Sequence, residues 1–165
     1  MTFLSRGCIL LNVQGRYTDR LLIFSMETSE LLRHQKIESL MARPMDNVAD
    51  AGVELWEQMA TQIISIIGEN GFNSLYERSV FLTQSSFPWL AADALSSRKG
   101  HRFAELKMRL EGQAPAQACE ANVLLLITFT DILVTLIGEQ LTTSILRSAW
   151  GSEASDKAGK EFQNG

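Results

Sequence analysis

The sequence is poor in the residues that build most covalent and metal-bound sites. Of its 165 residues, only two are cysteines and two are histidines. Cys8 and Cys119 lie far apart and outside any Cys-x-x-Cys spacing, so we interpret them as small apolar side chains or free thiols. His34 and His101 lack the Glu-x-x-His spacing of di-iron bundles. The sequence therefore predicts no metal and no cofactor, and free thiols suit a reducing, cytoplasmic compartment.

Motifs of nucleophilic catalysis and phosphate binding are missing as well. No Gly-x-Ser-x-Gly turn occurs, and "IGENG" at residues 67–71 matches neither the dinucleotide nor the P-loop pattern. We interpret His34 as a solvated side chain on a charged helix face, with a phosphate-accepting role as the alternative. These absences favour a protein that is not an enzyme.

Basic residues are too few for a general nucleic-acid surface. The formal net charge is −4, whereas a protein that displaces phosphate counterions needs an excess of Lys and Arg. Residues 98–112 hold the one basic cluster, with five basic and two acidic side chains. We interpret this cluster as a solvated face or as a contact for an acidic partner protein. No nucleic-acid partner is predicted.

A long apolar run at residues 121–138 approaches the length that crosses a bilayer. Asp131 lies in its middle, threonines flank that position, and no cluster of Lys or Arg anchors the run. We therefore expect a buried bundle helix and no membrane span. The apolar N-terminus is interrupted at Arg6 and has no small-residue cleavage site, so we predict no export signal.

The rest of the sequence has helical periodicity. Apolar residues recur every three and four positions between residues 45 and 150, which predicts an all-α bundle of about five helices. We expect a stop at the "ENG" of residues 69–71 and a last helix that opens at Pro115 and could extend to Trp150. Residues 1–44 are weakly specified: a β-hairpin or a disordered leader, then a helix at 27–42. The polar tail, residues 151–165, is expected to be disordered.

Two stretches of the chain resemble each other: "SIIGENGFNSLYERSVF" at 65–81 and "VTLIGEQLTTSILRSAW" at 134–150. Aligning Gly68 with Gly138, and allowing one gap, places Arg78-Ser79 on Arg147-Ser148. One interpretation is an internal pseudo-repeat of a helical hairpin, packed with approximate two-fold symmetry. The other is coincidence between two segments rich in common helix residues.

A polar stripe follows the last predicted helix. Thr128, Asp131, Thr135, Glu139 and Thr142 are spaced by three and four residues and share one face. A buried carboxylate needs a partner, and Arg78 and Arg147 are the basic residues nearest in sequence. Three readings stay open: salt bridges that fix helix register, a dimer surface, or a ligand pocket. The candidate ligand-binding residues are Asp131, Glu139, Arg147, Arg78, Glu69 and Thr135.

For function, we expect a non-enzymatic, cytoplasmic helical module for regulation or signalling that acts through protein contacts. It would form a homodimer and bind a further, unknown protein, because the last helix is more apolar than a small bundle readily covers. The alternative is a ligand-sensing bundle with the polar pocket described above. A third hypothesis is an enzyme that uses the same carboxylates as acid and base.

Overall fold

The structure is a computed structural model, and it describes residues 22–42, 47–91 and 102–151. These residues form five α-helices and one short 3₁₀ turn, with no strand among them. The prediction of an all-α bundle of about five helices is confirmed. The elements are α1 (Leu22–Met41), α2 (Val48–Thr83), the 3₁₀ turn (Pro88–Leu90), α3 (Ala104–Glu111), α4 (Pro115–Ile137) and α5 (Glu139–Trp150).

The chain divides into two compact units, Met1–Leu32 and Arg33–Gly165. In the first unit, the described residues are the first part of α1. Residues 22–26 are helical, so the hairpin prediction is wrong at that point, and residues 1–21 lie outside the described residues. The same is true of Cys8, of His101 and of the predicted tail from residue 152 onward.

The second unit begins before residue 45, because the end of α1 belongs to its core. Ile37, Leu40 and Met41 are buried and pack into the main apolar cluster. Cys119 on α4 is a free thiol, and its Sγ lies 3.7 Å from the carbonyl oxygen of Met41. Everything described below concerns this second unit.

Helix α2 is interrupted by a glycine. Asn47 caps its start, since the side-chain oxygen accepts from the backbone nitrogens of Ala49 and Asp50 at 3.2 and 3.3 Å. At Gly68 the backbone adopts φ 79° and ψ 167°, a region that is essentially restricted to glycine. The helix resumes at once, so α2 has a first arm (48–67) and a second arm (69–83). The predicted stop therefore lies at Gly68 rather than at Asn70 or Gly71.

The predicted last helix is interrupted in the same way. It opens at Pro115 as expected, but Gly138, with φ 89° and ψ 161°, divides it into α4 and α5. Among the described residues, Gly68 and Gly138 are the two with positive φ. Each of them is followed by a glutamate that begins a new helical segment.

Burial follows the same register in both parts of the chain. Gly68 and Gly138 are 70 residues apart, and this shift pairs every buried residue between 51 and 79 with another buried residue. The gapped alignment instead places Ser79, which is buried, on Ser148, which is exposed. Burial therefore favours the ungapped register. The pairs are Ala51/Ala121, Gly52/Asn122, Trp56/Leu126, Met59/Phe129, Ala60/Thr130, Ile63/Leu133, Phe72/Thr142, Leu75/Ile145, Tyr76/Leu146 and Ser79/Ala149.

The first arm of α2 and helix α4 meet closely in the core. A Cβ added to Gly52 would lie 2.5 Å from Nδ2 of Asn122, so any larger residue at this crossing would require the Asn122 side chain to move. Next to it, Nε1 of Trp56 donates to Oδ1 of Asn122 at 2.8 Å. The Trp56 ring also meets the Phe129 ring edge to face, at 5.3 Å between centroids. Because Gly52 meets Asn122 and Trp56 reaches Phe129, the two helices run in the same direction.

Helix α4 is apolar and central. By length and composition alone it could cross a membrane, and its most apolar window has a mean hydropathy of 1.8. Here one face of it packs inside the bundle. The buried residues on that face are Ala118, Ala121, Asn122, Leu125, Leu126, Phe129, Thr130 and Leu133. Helix α5 then runs back along α2, where Nε1 of Trp150 donates to the carbonyl of Leu55 at 3.1 Å.

Candidate functional site: a charge cluster on α1, α4 and α5

Two carboxylates of the predicted polar stripe meet a buried arginine of α1. Nη2 of Arg33 donates to Oδ1 of Asp131 at 2.7 Å, and Nη1 donates to Oε1 of Glu139 at 2.5 Å. The Arg33 side chain is 5% exposed, against 39% for Asp131 and 23% for Glu139. One guanidinium therefore joins α1 to both α4 and α5 through charge-assisted hydrogen bonds.

A histidine completes this group, which we call the charge cluster: Arg33, His34, Asp131 and Glu139. Nε2 of His34 lies 2.9 Å from the same Asp131 oxygen that accepts from Arg33. The hydroxyl of Thr135 donates to the main-chain carbonyl of Asp131 at 2.9 Å. The His34 side chain is 22% exposed, so solvent reaches the histidine and both carboxylates, whereas Arg33 is the buried member of the cluster.

The surroundings of Asp131 favour its charged form. Burial raises the pKa of this carboxyl, but hydrogen bonds from His34 and Arg33, together with their positive charge, outweigh burial and hold it below its usual 3.8. For Arg33, burial disfavours the charged form and so lowers the pKa. The hydrogen bonds to Glu139 and Asp131 raise it by more, so the pKa of Arg33 increases overall. At neutral pH, Arg33 and Asp131 therefore form an ion pair.

The cluster carries more negative than permanent positive charge. Asp131 and Glu139 supply two carboxylates, and Arg33 supplies one guanidinium. Nε of Arg33 is buried, and no hydrogen-bond partner is found for it within the described structure. With two carboxylates to one guanidinium, the exposed part of the cluster attracts cations rather than anions.

A simpler version of the same contact occurs at the other glycine. Nη2 of Arg102 donates to Oε1 of Glu69 at 2.8 Å, and its guanidinium lies 5.3 Å from the centroid of the Phe72 ring. The Glu69 side chain is 65% exposed. The position 70 residues before Asp131 is Thr61, an exposed residue without a carboxylate. This contact therefore has no counterpart of Asp131.

The predicted partners of the carboxylates are wrong. Arg78 is exposed, and its guanidinium lies 5.8 Å from the centroid of the Phe81 ring. Arg147 is exposed near the end of α5. Within the described ranges, neither arginine forms an ion pair with Glu69 or Glu139. Arg78 and Arg147 were chosen because they are near the carboxylates in sequence. The arginines that bind the carboxylates lie instead on α1 and before α3.

The predicted stripe does not share one environment. Thr142 is buried, and its hydroxyl donates to the carbonyl of Gly138 at 2.8 Å. Thr135 is exposed, and Asp131 and Glu139 are half-buried. The glycine break rotates α5 relative to α4, so positions that would align on one straight helix separate. Of the six predicted site residues, the structure unites Asp131, Glu139 and, through the backbone, Thr135.

Sequence reasoning missed Arg33, which lies in the segment set apart as weakly specified. A signal was available, because Arg33 and Arg102 each precede a glycine-glutamate pair by a similar distance, 35 and 36 residues. Family models, curated proteins and solved structures were compared with this chain, and none of them matches. The geometry of the chain itself therefore carries the functional argument.

Proposed function

We propose that the protein is a non-enzymatic helical interaction module that acts as a homodimer. One observation carries this proposal: large apolar side chains are exposed at matched positions. Ile66 is 49% exposed and Leu136 is 64% exposed. They stand 70 residues apart, and each lies two residues before a glycine break.

The placement of these residues suits a contact with a second copy. Since α4 and the first arm of α2 run in the same direction, both side chains lie toward the same end of the bundle. Leu141, in the first turn of α5, is 43% exposed near the same break. Two similar apolar positions toward one end of the bundle suit a two-fold contact, in which identical patches face each other. Burial in such a contact would remove the apolar area from water.

The charge cluster supports a role other than acid–base catalysis. A general acid or base works best when its pKa is near the operating pH. The pKa of Asp131 is instead held below its usual value by His34 and Arg33. Both carboxylates of the cluster also accept hydrogen bonds from Arg33, which fits them to hold helices together.

Sedimentation equilibrium on the natively purified full chain tests the proposal. The double variant Ile66→Ser, Leu136→Ser should weaken a reversible dimer by about tenfold or more for each substitution. Fully burying one such side chain contributes about 1.5–3 kcal/mol; these side chains are about half exposed, and each substitution removes two of them from the dimer. Met108→Ser is the matched control, since Met108 is 66% exposed on α3, and it should dimerise like the parent. A double variant with the parent's dimerisation constant and unchanged circular dichroism contradicts the assignment of this surface.

A second candidate function is ligand sensing at the charge cluster. The observation that favours it is the Asp131–His34 pair, which the contact at Glu69 lacks. Two carboxylates around one arginine suit a cationic ligand. Alkylammonium and agmatine are suitable probes, and the parent should show a thermal shift that Asp131→Asn abolishes. An equal shift in parent and variant would exclude this site.

A further inference from the structure

We infer that residues 33–83 and 102–150 are two similar three-helix units of one chain, related by an approximate two-fold axis, and that the first helix of each unit packs against the other unit. We further infer that two chains can dimerise by exchanging these units. Residues 33–83 are called the first half and residues 102–150 the second half. Each half has a first helix, which is the end of α1 in the first half and α3 in the second, then a second helix, a glycine in the same unusual conformation, and a returning helix.

The crossed ion pairs show how the halves are arranged. Arg33 of the first half binds Glu139 of the second, and Arg102 of the second half binds Glu69 of the first. In both cases the acceptor is the glutamate directly after the glycine break. The arginines are 69 residues apart and the glutamates 70. Reciprocal contacts of this kind are the signature of a two-fold relation between two similar units.

The first helices agree beyond the arginines. Four residues after each arginine comes a buried aliphatic residue, Ile37 in the first half and Leu106 in the second. Four residues further on, Met41 and Leu110 are also buried. In each half, an arginine is therefore followed at helical spacing by two buried apolar side chains, with Arg33 on α1 and Arg102 two residues before the start of α3.

The first helix of each half packs against the other half. Phe103, directly after Arg102, lies 5.8 Å from the Trp56 ring of the first half. In the opposite direction, Sδ of Met41 accepts from Nδ2 of Asn122, at 3.4 Å, in the second half. The interface between the halves thus includes both first helices as well as the crossing of the two long helices.

The axis passes close to Gly52 and Asn122. These two positions correspond in the register of 70, and they are also in direct contact. Residues that correspond under a two-fold rotation meet each other only near the rotation axis. The contact therefore locates the axis between the first arm of α2 and helix α4, in agreement with their common direction.

These contacts make a second copy of the chain a competent partner. Residues 84–101 join the two halves in sequence, and every contact between halves can form equally between the first half of one chain and the second half of another. Two chains then make the same interface twice, as in domain swapping. Ile66 and Leu136 take no part in these contacts, so this inference and the proposed function fail separately. A dimer formed by exchange also persists on dilution, whereas a surface dimer dissociates.

Two full-length variants test the exchange. The first carries Arg33→Glu and Glu69→Arg, which reverses the charges of the ion-pair residues in the first half. The second carries Arg102→Glu and Glu139→Arg, which reverse the charges of the ion-pair residues in the second half, and Asp131→Asn, which removes the remaining carboxylate. Within either variant alone, like charges face each other at both ion pairs. In a mixed, exchanged dimer, all of these pairs are complementary again.

The variants are unfolded, mixed and refolded together, and the products are separated by size. The expected product contains one copy of each variant, has twice the 18.4 kDa chain mass, persists on dilution and melts above either variant alone. A single chain with all five substitutions is the control, since its charges complement each other internally. Refolded at low concentration, it should fold stably without forming a dimer that persists on dilution.

The parent chain provides a test that does not depend on the variants folding. Tagged and untagged parent chains are refolded together at high concentration, and the diluted product is captured by the tag. Untagged chain that stays bound after dilution supports the exchange. Its absence, or the absence of the mixed dimer when the five-substitution control folds, overturns the inference.

Discussion

Replacing Arg33 with methionine should destabilise the protein more than the same replacement at Arg102. Methionine keeps most of the aliphatic stem that an arginine packs against its neighbours, so the comparison isolates the guanidinium. Arg33 is 5% exposed and bonds two carboxylates, whereas Arg102 is 27% exposed and its partner Glu69 is 65% exposed. The two contacts occupy similar positions in their halves, and they differ mainly in burial and in the number of carboxylates.

The magnitudes follow from these exposures. Removing one partner of a fully buried ion pair costs about 3–5 kcal/mol. Asp131 and Glu139 are partly exposed, and water can replace some of the lost bonds, so we expect about 2–3 kcal/mol for Arg33→Met. An exposed ion pair contributes about 0.2–1 kcal/mol, and the contact with the Phe72 ring adds a similar amount. Arg102→Met should therefore cost about 1 kcal/mol.

Urea unfolding, followed by circular dichroism, measures both values, and thermal melts provide a check. For a chain of this length, 1 kcal/mol corresponds to about 2–4 °C in Tm, so Arg33→Met should lower Tm by about 5–10 °C. Equal losses for the two variants would refute the reasoning, because burial would then not distinguish the contacts. No loss for Arg33→Met would show that the pairs with Asp131 and Glu139 contribute nothing to stability.

Three further predictions concern the titration of Asp131 and the special glycines. The stabilising contribution of Asp131 is present above its ordinary pKa and is lost as the pH falls through its lower folded-state value. Asp131→Asn should therefore reduce the dependence of the free energy of unfolding on pH in this acidic range, measured by urea melts taken down to about pH 2. Gly138→Ala should lower the free energy of unfolding by about 1–3 kcal/mol because φ is 89°. Gly112→Ala, at φ −74°, should leave Tm unchanged or slightly raised. Equal effects of the two substitutions on thermal melts would contradict this explanation. Gly52→Ala should be destabilising through its clash with Asn122, and addition of Asn122→Ala should cost less than the sum of the single losses; strict additivity in urea melts would argue against the contact.

Much of the fold was predictable because local rules govern it. Apolar periodicity predicted the helices and Pro115 marked a helix start, whereas the last helix was predicted without the break that the structure shows at Gly138. The exact break in α2 was misplaced because Asn70 and Gly71 also suit a helix end. Only φ and ψ show that Gly68 takes the conformation restricted to glycine.

The ion-pair partners were not predictable in the same way. Arg33 and Glu139 are 106 residues apart in sequence, and no helical spacing connects them. Arg78 and Arg147 lie on the same helical segments as the carboxylates, yet helix geometry points them into solvent. An arginine's position relative to a distant helix depends on how the helices pack, and periodicity within one segment does not contain that information.

The solution mass of the natively purified full chain tests the proposed function most directly. Light scattering over a concentration series should show a reversible shift from 18.4 kDa toward twice that mass as concentration rises. The same series on the Ile66→Ser, Leu136→Ser variant should remain at the mass of one chain. A parent protein that stays at 18.4 kDa at every concentration would contradict the proposal that this module works through contact with a second copy.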